Sequence, residues 1–263
     1  MRSMKISQIA FASVIGGALL GILIRAFLPE RNLTADSKDL VKLGMGLIAT
    51  MSALVLGLLI AAAKGSFDTH RNGLAQTSAS IIFLDRVLAH YGQEAKDARD
   101  LLRRSVANLL KQIWPEDASS PASVAPTVGS ESLYERIQEL SPKTEAQRTI
   151  QAQALKTGID IAQARWLLFA QRGSSIPTPF LVVLIFWLTI LFVGFSLFAP
   201  PNATVLVTLL VCALSVSAAV FVILELDEPF GGWIQISSAP LRDVLAQLGR
   251  YALYISLARR PAR

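Results

Sequence analysis

The sequence is short of the residues on which most protein chemistry depends. It holds one cysteine, Cys212, and only two histidines, His70 and His90. A single thiol excludes an intrachain disulfide and a thiolate metal cluster. The two histidines lie far apart without carboxylates at ligand spacing, so they read as ordinary polar helix residues rather than a zinc site. No HExxH, GxSxG, CxxC or phosphate-cradling glycine loop occurs, and no segment alternates apolar and polar residues as a half-buried strand does. Charge is scarce too, at 17% of residues. With no catalytic constellation, the chain reads as a non-enzyme that needs no cofactor and no metal.

What it has in abundance is apolar surface. A hydrophobic fraction of 52% and a mean hydropathy of +0.48 exceed what a soluble core needs and imply contact with lipid. Four runs are long enough to cross a hydrocarbon core of roughly 30 Å at 1.5 Å per residue: Ile6–Phe27, Val41–Ala63, a third from Pro179 and Phe180 to Ala199, and Ala203–Leu226. Pro200 and Pro201 stop the third. Arg2 and Lys5 ahead of the first run leave a cleaved signal segment as a rival reading for it, although its length and the lack of a small-x-small site favour a span.

The net charge of +6 comes without the aromatic-interleaved basic patch of a nucleic-acid binder. It follows membrane topology instead. Residues 64–178 are rich in Lys and Arg, and the tail adds Arg242, Arg250, Arg259, Arg260 and Arg263, whereas the PPN connection between spans three and four has none. The positive-inside rule then places the long segment and both termini in the cytoplasm, with LPERNLTADSKD and PPN outside. The expected fold is all-α: spans one and two in residues 1–63, a helical cytoplasmic domain in 64–178, spans three and four in 179–226, and an acidic turn with an amphipathic helix in 227–263.

Within the cytoplasmic segment, Leu74, Ile81, Leu84, Val87 and Leu88 recur at helical spacing, so span two should continue as one long helix to about His90. Glu94–Trp114 forms another, with Leu101, Leu102, Val106, Leu109 and Leu110 on one side. Pro115–Ser130 is rich in Pro, Ser and Ala and reads as a loop. Ser141 as N-cap with Pro142 at the first helical position opens a helix reaching about Arg172. From Pro240, Leu241, Val244, Leu245, Leu248 and Tyr251 form an apolar stripe that would lie on the membrane surface or pack on the cytoplasmic helices.

Three places carry candidate function. GGALLG in span one has the small residues that let helices approach closely. In span two Gly46, Thr50, Ala53 and Gly57 make a narrow small-residue face beside Leu54 and Leu58, suited either to bundle packing or to a pore whose apolar turns gate by dewetting. Beyond that span, Lys64 and Arg71 either anchor the helix at the membrane surface or form a cationic mouth that concentrates anions, its field partly offset by Asp68 and Asp85. Last, LELDEPFGGW closes span four with Glu225, Asp227 and Glu228. These acids could hold a hard cation or pair with Lys64 or Arg71.

The layout of four spans with a large helical insert after the second, the Leu56-Gly57 pair followed by Arg71, and the Glu225, Asp227, Glu228, Pro229, Phe230, Gly231 turn together resemble bestrophins, a family of pentameric anion channels. The version ELDEPFGGWIQISSAPLRDVLAQL is most similar to their bacterial bestrophin-like relatives. The resemblance implies a homo-oligomeric channel in the lipid bilayer of a bacterial inner membrane, pentameric and conducting inorganic or small organic anions. It puts Thr50, Leu54 and Leu58 on the pore and Lys64 and Arg71 at its cytoplasmic mouth. The aromatic residues often found in the bestrophin neck are absent here. GGWIQISSAP also replaces the Asp run with which the animal channels complete their Ca2+ site, so Ca2+ gating does not carry over. The other class of reading is a non-channel membrane complex component, either a stator-like force transducer or a scaffold or sensor. No acid lies at mid-span to serve a stator.

Overall fold

The computed structural model describes residues 2–27, 35–115, 129–170, 176–199 and 202–248, and these residues are helical with short connections. In chain order the helices are α1 (Arg2–Phe27), α2 (Ala35–Tyr91), α3 (Lys96–Ile113), α4 (Gly129–Gln138), α5 (Glu145–Ala170), α6 (Thr178–Phe198), α7 (Ala203–Leu226) and α8 (Ala239–Gln247), with one 3-10 turn at Gln93–Ala95. Four of them, α1, α2, α6 and α7, are long and apolar enough to cross a membrane. The chain divides into two units, Met1–Phe67 with Ser174–Ile234, and Asp68–Gly173 with Gln235–Arg263. Helix α2, 57 residues long, contributes to both, and at 1.5 Å per residue it runs for roughly 85 Å.

The first unit is held together by close approach of backbones. Helix α1 lies along α6 and α7. A Cβ on Gly17 would stand 2.9 Å from the Thr189 carbonyl oxygen, and one on Gly21 would collide with that of Val193. Only glycine permits such contact, so the GGALLG segment is a packing device, as its composition implies. Val14 and Ala18 of α1, Leu59 and Ala63 of α2, Leu184 and Leu188 of α6, and Ala213 and Ile223 of α7 form the interior. Met45 fills the space beside Gly194, where a Cβ would meet its sulfur at 2.5 Å. Asn202 caps α7, its side-chain oxygen accepting from the Val205 N–H at 2.9 Å, which satisfies one of the N-terminal donors of that helix.

The second unit is a soluble-type helical core. Leu74, Ile81, Leu84, Val87 and Leu88 of α2 are all buried, as their spacing predicts. Leu102, Val106, Leu109 and Ile113 of α3 are buried as well, with Leu101 and Leu110 at the edge of that face. Asp85 takes a bidentate pair from Arg99, at 2.7 and 3.0 Å. Helix α2 ends where Gly92 adopts φ 129°, a conformation that favours glycine.

Two boundaries differ from the sequence reading. Helix α4 begins at Gly129, within the segment read as a loop, and α5 begins at Glu145 rather than at Ser141 and Pro142. The cap is Thr144, whose hydroxyl accepts from the Gln147 N–H at 3.1 Å while the Gln147 side-chain oxygen Oε1 accepts from the Lys143 N–H at 2.8 Å. This is close to a capping box. The later start puts the Gln147 amide where it donates to the Tyr91 carbonyl, and the Gln151 amide where it donates to Ile137 and Leu140. These side chains thus donate to carbonyls at the end of α2 and at and just beyond the end of α4, where Ile137 also accepts from the Leu140 N–H at 3.3 Å. Helix α8 packs against α3 with Leu241, Val244 and Leu248 buried, and the Trp114 indole donates to Ile236. Of the two places left open for the C-terminal stripe, it occupies the one on the helical unit. Arg172 and Tyr251 lie outside the described residues.

Candidate functional site: the open face of α2 and the acidic turn

Along its apolar stretch α2 touches the rest of its unit through one narrow side. Met45, Ser52, Leu59 and Ala63 are buried, whereas Gly46, Thr50, Ala53 and Gly57 are exposed. A Cβ added at Gly44, Gly46 or Gly57 would meet nothing within 4 Å. Leu54 and Leu58 stand 70% and 61% exposed beside them. Among the described residues, the small-residue face is therefore left open rather than packed against another helix. The Thr50 hydroxyl turns back onto the Gly46 carbonyl at 2.9 Å, so this face offers methyl and methylene groups with few free polar atoms.

At the end of this stretch Lys64 is exposed, with its ammonium 5.9 Å from the Phe67 ring centroid, a cation–π distance. Arg71, in the second unit, is also exposed.

The acidic turn is built around Glu225. Its carboxylate is 1% exposed and accepts two short hydrogen bonds, from the Ser3 hydroxyl at 2.5 Å and the Trp233 N–H at 2.5 Å. A buried carboxylate is costly unless it is hydrogen-bonded, and here donors from opposite ends of the sequence meet on it. Gly232 makes the return possible. It adopts φ 91°, and any Cβ there would strike the Glu225 carboxylate. Asp227 and Glu228 are half-buried in the turn, Pro229 is buried, and Phe230 and Gly231 are half-buried. No group of three or more His, Cys, Asp or Glu side chains suited to a metal occurs among the described residues. The donors that meet on Glu225 are neutral, the Ser3 hydroxyl and the Trp233 N–H. Sequence reasoning missed Ser3 and Gly232; the doubled glycine after Pro-Phe was the available signal for the second, and no local signal marks the first.

Away from the spans and among the described residues, Glu94 and Arg165 are perturbed. The Glu94 carboxyl is held below its usual range by its own backbone N–H and then by Lys143, whose ammonium is 3.4 Å away. Burial lowers the pKa of Arg165, which lines an apolar cleft with Leu102, Val106 and Leu133 in the second unit.

Four apolar helices long enough to span a bilayer, joined to a helical unit by one extended helix, define an integral membrane protein of all-α architecture. The chain belongs to the bestrophin-like family: the family model for the bestrophin-like domain matches residues 11–241. Its fold is similar to the crystal structure of a bacterial bestrophin homologue from Klebsiella pneumoniae carrying a tryptophan-to-alanine mutation. The TM-score is 0.62 at 14% identity, over 90% of this chain and 96% of that one. No curated protein matches the chain.

Proposed function

We propose that the protein is an oligomeric ion channel, conducting anions through a pore lined by α2. The observation that carries this reading is the open face of α2, where Gly46, Thr50, Ala53 and Gly57, flanked by Leu54 and Leu58, are exposed among the described residues. Several copies arranged about an axis, five by resemblance to bestrophins, would bring these faces together. Small residues let the helices converge, and the leucines form a constriction that closes by dewetting. Lys64 and Arg71 would then ring the cytoplasmic mouth and raise the local anion concentration. Family membership supports the same assignment. The basic residues of 64–178 and of the tail support a cytoplasmic position for that segment and both termini, in a bacterial inner membrane.

The test is conductance of purified full-length protein in planar bilayers. Chloride currents are expected, and Leu54→Ser should increase their open probability, since an added hydroxyl at the constriction favours wetting. Leu210→Ser, on the exposed side of α7, should leave them unchanged. Absence of current in chloride, alkali-cation and organic-anion solutions at every voltage, from protein that elutes as an intact oligomer, would turn the assignment to a non-channel complex.

A further inference from the structure

A pocket opens where the end of α6 meets the start of α7 beside α1. It offers about 210 Å³ and is walled by Ile22 of α1 and by Val205, Leu206 and Leu209 of α7, with Ser196 and Asn202 as its polar members. Ser196 is 2% exposed, and its hydroxyl has no hydrogen-bond partner. The span hydroxyls of Thr50, Thr189, Thr208 and Ser215 each bond to the carbonyl four residues earlier; Ser52 and Ser217 lack a partner as Ser196 does, but of these three only Ser196 lines this pocket. A buried hydroxyl without a partner costs stability unless something supplies one.

The N-terminus of α7, a 24-residue helix, lies at the same pocket through Asn202 and Ala203. Asn202 occupies the Val205 N–H, but the first N–H groups of any helix lack an acceptor in the preceding turn and carry partial positive charge. The pocket thus joins an apolar wall to a donor-rich, electropositive rim. It sits at the ends of three helices that have the length of membrane spans, where hydrocarbon gives way to headgroups.

We propose that this pocket is a specific site for a glycerophospholipid, with an ester or phosphate oxygen accepting from Ser196 and the N-terminus of α7 and an acyl chain lying against Ile22, Leu206 and Leu209. A free anion would use the rim but leave the apolar wall wet. A purely apolar molecule would leave the Ser196 hydroxyl unsatisfied. Only an amphiphile with an acceptor at one end meets both surfaces. The proposal depends on the span assignment and not on conduction.

The experiment is native mass spectrometry of the full-length protein in detergent, titrated with phosphatidylglycerol. One tightly held lipid per chain is expected. Ser196→Ala should weaken its retention about fivefold, the loss of one hydrogen bond. Leu206→Trp, which fills the pocket from a surface position, should weaken it more than tenfold by the same scale of steric exclusion. Leu210→Trp, about one helical turn further along α7 and outside the pocket, should behave as wild type. Equal lipid retention in all four proteins would overturn the proposal, as would an equal loss in Leu210→Trp, which would mark non-specific annular lipid. Displacement of the lipid by glycerophosphate alone would overturn it in favour of a simple anion site. Elution profiles matching wild type separate loss of lipid from loss of fold.

Discussion

At the scale of single residues, Glu225 shows how an apparent ligand becomes a structural centre. Three acids in a short stretch invite a cation, yet the carboxylate that is most buried spends its oxygens on Ser3 and the Trp233 N–H. Its neighbour Gly232 should be intolerant of change. Gly232→Ala must hold φ 91° with a side chain and push against the carboxylate, a cost of about 1–3 kcal/mol for the backbone conformation alone. Gly231→Ala, where a Cβ would meet nothing within 4 Å, should be close to neutral. Melting temperatures of the two variants in detergent should therefore differ by several degrees, and equal values would contradict the clasp. A second residue-level expectation concerns Asp85 and Arg99, both largely buried. Asp85→Ala should destabilise by about 3–5 kcal/mol, because it strands the guanidinium, whereas a double replacement by methionines should recover most of the loss. A chemical-denaturation cycle measures this, and a double variant as unstable as the single one would show that the pair is not the source.

At the scale of elements, α1 and α6 depend on Gly17 and Gly21. Gly21→Leu should abolish a monodisperse elution profile, since the Val193 carbonyl occupies the place of its Cβ, while Gly16→Leu, facing open space, should be accepted. The same elements show what the sequence could and could not convey. The four spans and the extended α2 were legible because apolar run length and helical period are local properties that tertiary context does not reverse. The start of α5 was not, because Ser141-Pro142 and Thr144 with Gln147 are both acceptable cap grammars. The second prevails where it lets Gln147 and Gln151 satisfy carbonyls of α2 and α4. In the candidate site, the face bearing Thr50, Leu54 and Leu58 was legible as a face. That it is left open was not, since small residues serve helix packing and pore lining alike and only the fold shows which helices lie beside them. The acids of the turn were equally visible, but Ser3 lies 222 positions from Glu225, and no periodicity reports a contact at that distance.

At the scale of the whole molecule, the proposed channel makes a demand that a single chain does not. If α2 faces an axis, each cation on it is repeated once per subunit, and charges that are weak alone act together. A unit charge about 8 Å from a passing ion contributes roughly 0.5 kcal/mol in water. Five such charges sum to about 2.6 kcal/mol, and screening at 0.1 M reduces this to roughly 1.2 kcal/mol; since chloride is attracted and potassium repelled, the difference of about 2.4 kcal/mol is enough for a tenfold or greater preference for chloride. Lys64, exposed at the end of the apolar stretch, is the residue to change. Lys64→Glu should lower the chloride-to-potassium permeability ratio by more than tenfold and shift the reversal potential in a salt gradient accordingly, while leaving the oligomer intact by mass photometry. Because the Debye length falls from about 10 Å at 0.1 M to about 3 Å at 1 M, the wild-type preference should also shrink as salt rises. A constriction at Leu54, which on the proposed reading would exclude ions by dewetting rather than by field, should respond little to salt. Currents whose selectivity is indifferent both to Lys64→Glu and to ionic strength would place the selecting element elsewhere and remove the cationic mouth from the mechanism.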